Sequence, residues 1–250
     1  PDDLEDFKAR RLAAGIKPAT IRADLRSLNV PFAYGMRTGK IQSNPVAAVK
    51  PPDHASEARK TFTAAEIDLL VTEALTSEPE FSTAILLGGF AGLRLGDAVG
   101  LTWDAVDIAG KTITLTPQKT RRKGRELVLP MHPRIESHLM DLPAPSDGTA
   151  PLCPRLCKLK PGGHSGLSRK FQDVMRRAGV GQTTTAAKGE GRTFNARTFH
   201  SLRHSFITRL QTADVPADVR MLLAGHSDAR THAGYSHTEI ETLRRAVAKL

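Results

Sequence analysis

The longest uncharged apolar run in this chain is AILLGGFAGL, from Ala84 to Leu93. A helix that crosses a membrane needs about 20 apolar residues. This run has ten, three of them glycine, so it predicts a helix buried in the core of a domain, around residues 82–90. At 250 residues the chain is long enough to enclose such a helix, and a small disulfide scaffold is excluded.

The charge balance favours a polyanionic partner. The chain has 36 Lys and Arg residues against 26 Asp and Glu residues, which leaves a net charge of +10 and a pI near 9.9. Such a surface attracts nucleic acid or an acidic membrane surface. The N-terminal residues PDDLEDFKAR lack the basic region and apolar core of a secretory signal, so a cytoplasmic location and no membrane association are expected.

The two cysteines leave one alternative open. Cys153 and Cys157 have C-x3-C spacing, and His164 is nearby, which together could form half of a zinc site. Because a zinc ion takes four ligands, we expect no metal and no cofactor here.

The first 50 residues form a separate predicted region. Apolar residues recur near helical spacing over 4–14 and 19–37, which predicts two helices. The segment KPPDHASEARK, from Lys50 to Lys60, has paired prolines and mixed charge and is typical of a linker. A domain boundary is therefore expected there.

The rest of the chain is predicted to be mainly α with a small antiparallel β-hairpin, an α+β arrangement. Thr63 and Glu66 have the spacing of a capping box at the start of a helix that runs through Leu75. Apolar and polar residues alternate over 111–116 and 125–130 across a basic turn, which predicts a two-stranded hairpin. A loop is expected over 143–168, with a helix over 168–178.

A polar pair lies on a predicted helix near residue 200. His200 and Arg203 are three residues apart and so lie on neighbouring faces. Arginine offers paired donors and histidine can move a proton, which makes a phosphate site plausible. A solvated polar face is the alternative. The helix is anchored by apolar residues at helical intervals: Phe199, Leu202, Phe206 and Leu210.

A second polar segment contains a histidine and one of the two tyrosines of the chain. The run LLAGH predicts a helix that ends near Gly225, which would fix the point where His226 leaves it. Tyr235 follows His226 by nine positions in a polar, turn-rich segment. The alternative interpretation is a surface tyrosine in a loop.

An ordered set of motifs resembles the tyrosine recombinases of the phage integrase type. AGLRLGDAVGLTW, with Arg94 and Asp97, is similar to the first box of that family, and HSLRHSF to the second. LLAGHSDARTHAGYSH resembles the continuation from the final histidine to the tyrosine, and TPQKTRRKGRELVLP resembles the strand-turn-strand that carries the catalytic lysine. The resemblance spans roughly residues 60 to 240.

The resemblance implies a phosphate clamp. Arg94 and Arg203 would hold the non-bridging oxygens of the scissile phosphate, where negative charge builds up in the transition state. His226 would donate a third hydrogen bond to the same phosphate. Asp97 would orient a cationic neighbour.

The resemblance also implies a nucleophile and proton carriers. Tyr235 would attack phosphorus and form a 3′-phosphotyrosyl bond. His200 would assist proton transfer at the tyrosine oxygen, and Lys119 would protonate the departing 5′ oxygen. Lys123 competes with Lys119 for this role. Contacts to the DNA backbone are expected from the basic turn, at Arg121, Arg122, Lys123 and Arg125.

For the whole chain, the resemblance implies a partial helical core-binding (SAM-like) domain at 1–50, a linker at 51–60 and a catalytic domain at 61–250. Double-stranded DNA is the implied partner, bound by a homo-tetramer on paired sites, with a possible accessory DNA-bending or directionality protein. A tail such as 239–250 often docks on a neighbouring subunit in this family. The remaining alternatives are a type IB topoisomerase and a non-catalytic DNA-binding protein.

Overall fold

A computed structural model describes residues 2–53, 60–118, 121, 124, 126–143, 145–159, 166–181, 184–185, 194–195, 197–225 and 237–250. For residues 184–185, 194–195 and 237–239 it describes the backbone only. These residues form two compact units, one up to residue 53 and one from residue 60 onward. Within these ranges, no helix has both the length and the apolar character needed to cross a membrane.

The first unit is a small helical body. Helix α1 (Asp2–Ala13) precedes helix α2 (Pro18–Arg37), which has Pro18 at its first position, where the missing N–H costs nothing. A 3₁₀ turn follows at Pro45–Ala48. Both predicted helices are confirmed. The core of this unit consists of four buried side chains: Ile21, Leu25, Val46 and Val49.

The second unit is mainly helical and has one larger core. Its longer helices are α3 (Ala64–Ser77), α4 (Pro79–Phe90), α7 (Leu167–Arg177) and α8 (Phe199–Thr212). The others are α5 (Leu95–Val99), α6 (Pro133–Met140), α9 (Ala217–Leu223) and α10 (His237–Val247). Short 3₁₀ turns lie at Trp103–Ala105 and Leu156–Lys158.

Helix α4 is the centre of this unit and contains most of the apolar run. Every residue from Phe81 to Phe90 is buried, and α4 packs against α3, α5, α6 and α8. A Cβ atom at Gly88 would lie 2.9 Å from Phe199 Cζ and 3.2 Å from Leu202 Cδ1. Glycine is needed at this position because α8 approaches the backbone of α4 closely. The predicted buried helix is confirmed.

The predicted capping box is also confirmed at the start of α3. The Thr63 hydroxyl oxygen accepts a hydrogen bond from the Glu66 N–H at 3.1 Å, and a Glu66 carboxylate oxygen accepts one from the Thr63 N–H at 2.9 Å. Two amides without helical partners are satisfied by this exchange.

The predicted antiparallel hairpin is confirmed, and a third strand that was not predicted extends it. Strands β2 (Thr112–Leu115) and β3 (Leu127–Pro130) pair antiparallel with Ile113 opposite Leu129, but β1 (Val106–Asp107) adds a third strand in the order β1-β2-β3. A two-residue strand is too short for an alternating pattern to show. A second pair, β4 (Thr184–Thr185) and β5 (Phe194–Asn195), is also antiparallel. The class remains mainly α with a small antiparallel sheet.

The start of α6 depends on a buried histidine. His132 Nδ1 accepts a hydrogen bond from the Arg134 N–H at 3.1 Å, and its ring centroid lies 4.5 Å from that of Phe90. Burial, together with the positive charges of Arg209 and Arg134, lowers the pKa of His132 to about 4. The folded protein therefore holds this ring in its neutral form.

We predict that His132 makes the second unit sensitive to acid. The unfolded chain binds a proton at His132 near pH 6.5, whereas the folded chain does so only near pH 4, so this contribution to stability is complete above about pH 6.5 and is lost as the pH falls towards 4. His132→Asn keeps a capping side chain that does not titrate. Urea unfolding at pH 7, 6, 5 and 4 should show a smaller loss of stability in the variant. An identical pH dependence in both proteins would contradict this assignment.

Candidate active site

Arg94 lies on the turn between α4 and α5. Gly92 in this turn has φ +66°, a conformation that favours glycine, and the Leu93 N–H returns to the Leu87 carbonyl at 3.1 Å. Arg94 then caps α5 with extended backbone, and 27% of its side chain is exposed. The buried helix α4 thus presents a partly exposed guanidinium at its C-terminal end.

Arg203 is buried on α8 and joins two other parts of the chain. Its Nη1 donates to the Gly92 carbonyl at 2.6 Å, and its Nη2 donates to the Ala224 carbonyl at the end of α9. Burial and the nearby charge of Arg94 lower the pKa of Arg203 to about 10, so the group remains a cation at neutral pH. Two guanidinium groups predicted to bind one phosphate are therefore close enough to affect each other.

Asp97 lies on α5 beside Arg94. Its Oδ2 is 3.7 Å from Arg94 Nη1, and its Oδ1 accepts a hydrogen bond from the Gln118 N–H at 2.9 Å. The side chain is almost fully buried. Asp97 therefore contacts both the Arg94 side chain and the backbone that leads into the basic turn.

The basic turn is described only in part. Arg121 is exposed, and its carbonyl accepts a hydrogen bond from the Gly124 N–H at 3.0 Å. The other predicted residues of the turn lie outside the described residues: Lys119, Arg122, Lys123 and Arg125. Gln118, which directly precedes Lys119, is described and is held by α5.

The end of α9 has the predicted glycine. Gly225 has φ +58° and follows the last helical turn, and a Cβ atom there would lie 2.9 Å from Leu127 Cδ2 of β3. The expected glycine stop is confirmed, and it lies against the sheet. His226 and Tyr235 lie outside the described residues.

Helix α10 packs on the core of the second unit. Leu243, Ala246 and Val247 are buried, and α10 contacts β3 and α9. Arg244 donates to the Gly110 carbonyl at 2.9 Å. The expected docking of the tail on a neighbouring subunit stays a prediction.

His200 lies on the first turn of α8, one turn before Arg203. Its ring centroid is 4.8 Å from that of His204, in an edge-to-face arrangement. The start of the helix is held by a hydrogen bond from the Thr198 N–H to the Ser201 hydroxyl at 3.1 Å.

The cysteines do not resemble a metal site. Cys153 is fully buried, and burial, reinforced by Glu80 and Cys157, raises its pKa to about 12. A thiol held in its protonated form is a poor ligand, because zinc binds the thiolate. His164 lies outside the described residues, and among the described residues no three His, Cys, Asp or Glu side chains could hold an ion.

Comparison with known families adds a separate line of evidence. A model of the phage integrase family matches residues 60–241, which is most of the chain. The chain belongs to the phage integrase family. This phage integrase domain covers almost all of the second unit, and it contains every motif that resembled the tyrosine recombinases.

Relatives of this family member include recombinases and integrases. The tyrosine recombinase XerD of Lacticaseibacillus casei is 27% identical over 229 residues, which cover 88% of this chain and 72% of XerD. XerD of Yersinia pestis is 25% identical over 253 residues, which cover 98% of this chain and 80% of the relative. An integrase of Saccharopolyspora erythraea is 27% identical over 122 residues, and the match spans only 28% of that protein.

Solved structures share the fold. The Tn1549 transposon integrase, in complex with transposon right end DNA, has a TM-score of 0.67 at 20% identity and covers 98% of this chain and 85% of its own. A lambda integrase dimer bound to a core site has a TM-score of 0.61 at 20% identity. The match covers 94% of this chain and 82% of the lambda integrase chain. The architecture is that of the tyrosine recombinases.

We predict that Gly92→Ala destabilises the second unit more than its backbone angle alone requires. A Cβ at Gly92 would lie 2.6 Å from Phe206 Cδ1, whereas one at Gly179, with φ +65°, would meet nothing within 4 Å. Gly179→Ala should therefore cost about 1–2 kcal/mol for the left-handed conformation, and Gly92→Ala about 1–3 kcal/mol more for overpacking. Urea unfolding measures both variants. Equal losses of stability would show that Phe206 leaves room at the turn.

Proposed function

We propose that this chain is a site-specific DNA recombinase that cleaves and rejoins DNA strands through a 3′-phosphotyrosyl intermediate. The observation that carries the proposal is the buried Arg203, which donates to the Gly92 carbonyl in the Arg94 turn and to the Ala224 carbonyl at the end of α9. Its pKa is lowered by burial and by the nearby charge of Arg94. Two neighbouring cations in fixed positions can stabilise the negative charge that builds up on a phosphate in the transition state. The family match and the relatives named as recombinases support the same activity.

In the proposed reaction the energy of the cleaved phosphodiester bond is kept in the phosphotyrosyl bond until the strands are rejoined. The Tyr235 oxygen gives up its proton with help from His200 and attacks phosphorus, and the bond to the 5′ oxygen breaks. Lys119 gives that oxygen a proton as it leaves. A second DNA hydroxyl then attacks the phosphotyrosine, the bond between phosphorus and the Tyr235 oxygen breaks, and the diester is restored as the hydroxyl proton is lost and the tyrosine oxygen regains a proton.

The same proposal gives the surrounding groups their roles. Arg94, Arg203 and His226 stabilise the charge on the phosphorane, and Asp97 orients Arg94 at 3.7 Å. Arg121, Arg122, Lys123 and Arg125 bind the DNA backbone. A type IB topoisomerase or a non-catalytic DNA-binding protein is not favoured, because the matched relatives are named as recombinases and integrases.

Double-stranded DNA is the proposed partner. The Tn1549 integrase was solved with transposon right end DNA, and a lambda integrase tetramer was solved on a Holliday junction. We propose a homo-tetramer on paired sites that acts in the cytoplasm, with an accessory DNA-bending or directionality protein. We propose that residues 1–50 act as a helical core-binding domain, 51–60 as a linker and 61–250 as the catalytic domain.

The nucleophile is tested by Tyr235→Phe. Removing only the attacking oxygen should abolish the covalent protein–DNA adduct while leaving DNA affinity unchanged, because the arginine clamp remains. Nicked suicide substrates on denaturing gels measure the adduct. Tyr34→Phe, at the exposed tyrosine of the first unit, is the matched control and should form the adduct normally. An adduct that persists in Tyr235→Phe would move the nucleophile to another residue.

The general acid is tested by Lys119→Ala on two substrates. This variant should cleave the normal substrate poorly, because a 5′ alkoxide leaves slowly without a proton. When the bridging 5′ oxygen is replaced by sulfur, the thiolate leaves unaided, since its thiol has a pKa near ~8.5. Cleavage should then return in Lys119→Ala, whereas Arg94→Ala and Arg203→Ala should stay impaired. Rescue of Lys123→Ala instead would transfer the role to Lys123.

A further inference from the structure

Gln118 is fastened to helix α5 at two points. Its backbone N–H donates to Asp97 Oδ1 at 2.9 Å, and its side-chain amide donates to the Gly96 carbonyl at 3.2 Å. These bonds join residues 21 and 22 positions apart in the sequence. The end of β2 is thereby connected to the helix that follows Arg94.

The helix leaves space for this contact. A Cβ atom at Gly96 would lie 3.1 Å from Gln118 Oε1, and one at Gly100 would lie 3.6 Å from Gln118 Nε2. Gly96 is inside α5, where glycine is less favourable than alanine by about 1 kcal/mol. The glycine therefore provides space for the glutamine amide at the expense of helix propensity.

From this geometry we propose that Gln118 is a positioning residue that fixes the backbone just before Lys119 to helix α5. Lys119 is the next residue along the chain, and Arg94 caps the helix that accepts both bonds from Gln118. The two bonds, together called the brace, hold residue 118 against the helix that begins after Arg94. This inference rests on the proposed role of Lys119 as general acid.

The two bonds of the brace can be separated by substitution. Replacing Gln118 by methionine removes the bond to the Gly96 carbonyl but keeps the backbone bond to Asp97 and a side chain of similar length. Because Gln118 is exposed, water competes for this bond, and an effect of about 3- to 10-fold is expected. Asp97→Asn keeps an acceptor for the Gln118 N–H but removes the charge beside Arg94.

The experiment measures single-turnover cleavage with an oxygen and with a sulfur leaving group. Gln118→Met should cleave the oxygen substrate about 3- to 10-fold slower than the unmodified protein and the sulfur substrate within about twofold of it. DNA affinity should not change. Gln211→Met, at an exposed glutamine at the end of α8, is the matched control and should be unaffected on both substrates.

Two further variants distinguish the brace from its alternatives. Gly96→Ala, which presses on the Gln118 amide, should reproduce the defect with the oxygen substrate, whereas Asp97→Asn should be slower on both substrates. An equal loss on both substrates in Gln118→Met, or a loss of DNA affinity, would overturn the positioning role. If Lys119→Ala itself is not rescued by sulfur, the general-acid proposal is wrong and the brace has no catalytic lysine to position.

Discussion

The arrangement of the second unit depends on one buried cation. A guanidinium withdrawn from water must be hydrogen-bonded, because an unpaired buried charge costs several kcal/mol. Arg203 meets this requirement with the carbonyls of Gly92 and Ala224, neither of which is near it in the sequence. The turn after α4, the middle of α8 and the end of α9 therefore have to meet at one point.

These elements can approach each other closely because glycines, which have no side chain, lie at the points of contact. Gly88 lets Phe199 of α8 touch the backbone of α4, Gly92 makes room for Phe206, and Gly225 lets the end of α9 lie against Leu127 of β3. The apolar packing and the Arg203 bonds thus act on the same elements. A larger residue at any of these positions would move a carbonyl or a guanidinium of the proposed site.

The sequence predicted the elements well where the signal is local. The capping box at Thr63, the buried helix near residue 85 and the glycine stop at Gly225 follow from spacing and residue type. Strand β1 was not predicted because a strand of two residues is too short to show an alternation of apolar and polar side chains. Arg94 and Arg203 were selected because their motifs resemble those of a family. From periodicity alone, Arg203 could equally have belonged to a solvated polar face of its helix.

Contacts between distant residues could not be predicted from the sequence. Nothing in the run TPQKT marks Gln118, because its partners lie 21 and 22 positions earlier on another element. The sequence offered one signal, which was the glycine at position 96 inside a short helix. This glycine indicates that another group lies close to the helix, but the sequence does not show which group it is. The roles of all the proposed site residues remain predictions, and Lys119, His226 and Tyr235 also lie outside the described residues.

The attachment of α10 ties the last residues of the chain to three parts of the second unit. Leu243 and Val247 anchor this helix in the core, and Lys249 donates to the Ala213 carbonyl at 3.3 Å. Arg244 donates to the Gly110 carbonyl, just before β2. Releasing α10 would therefore expose two buried apolar side chains to water and break both hydrogen bonds, so this helix is an integral part of the fold and not a removable tail.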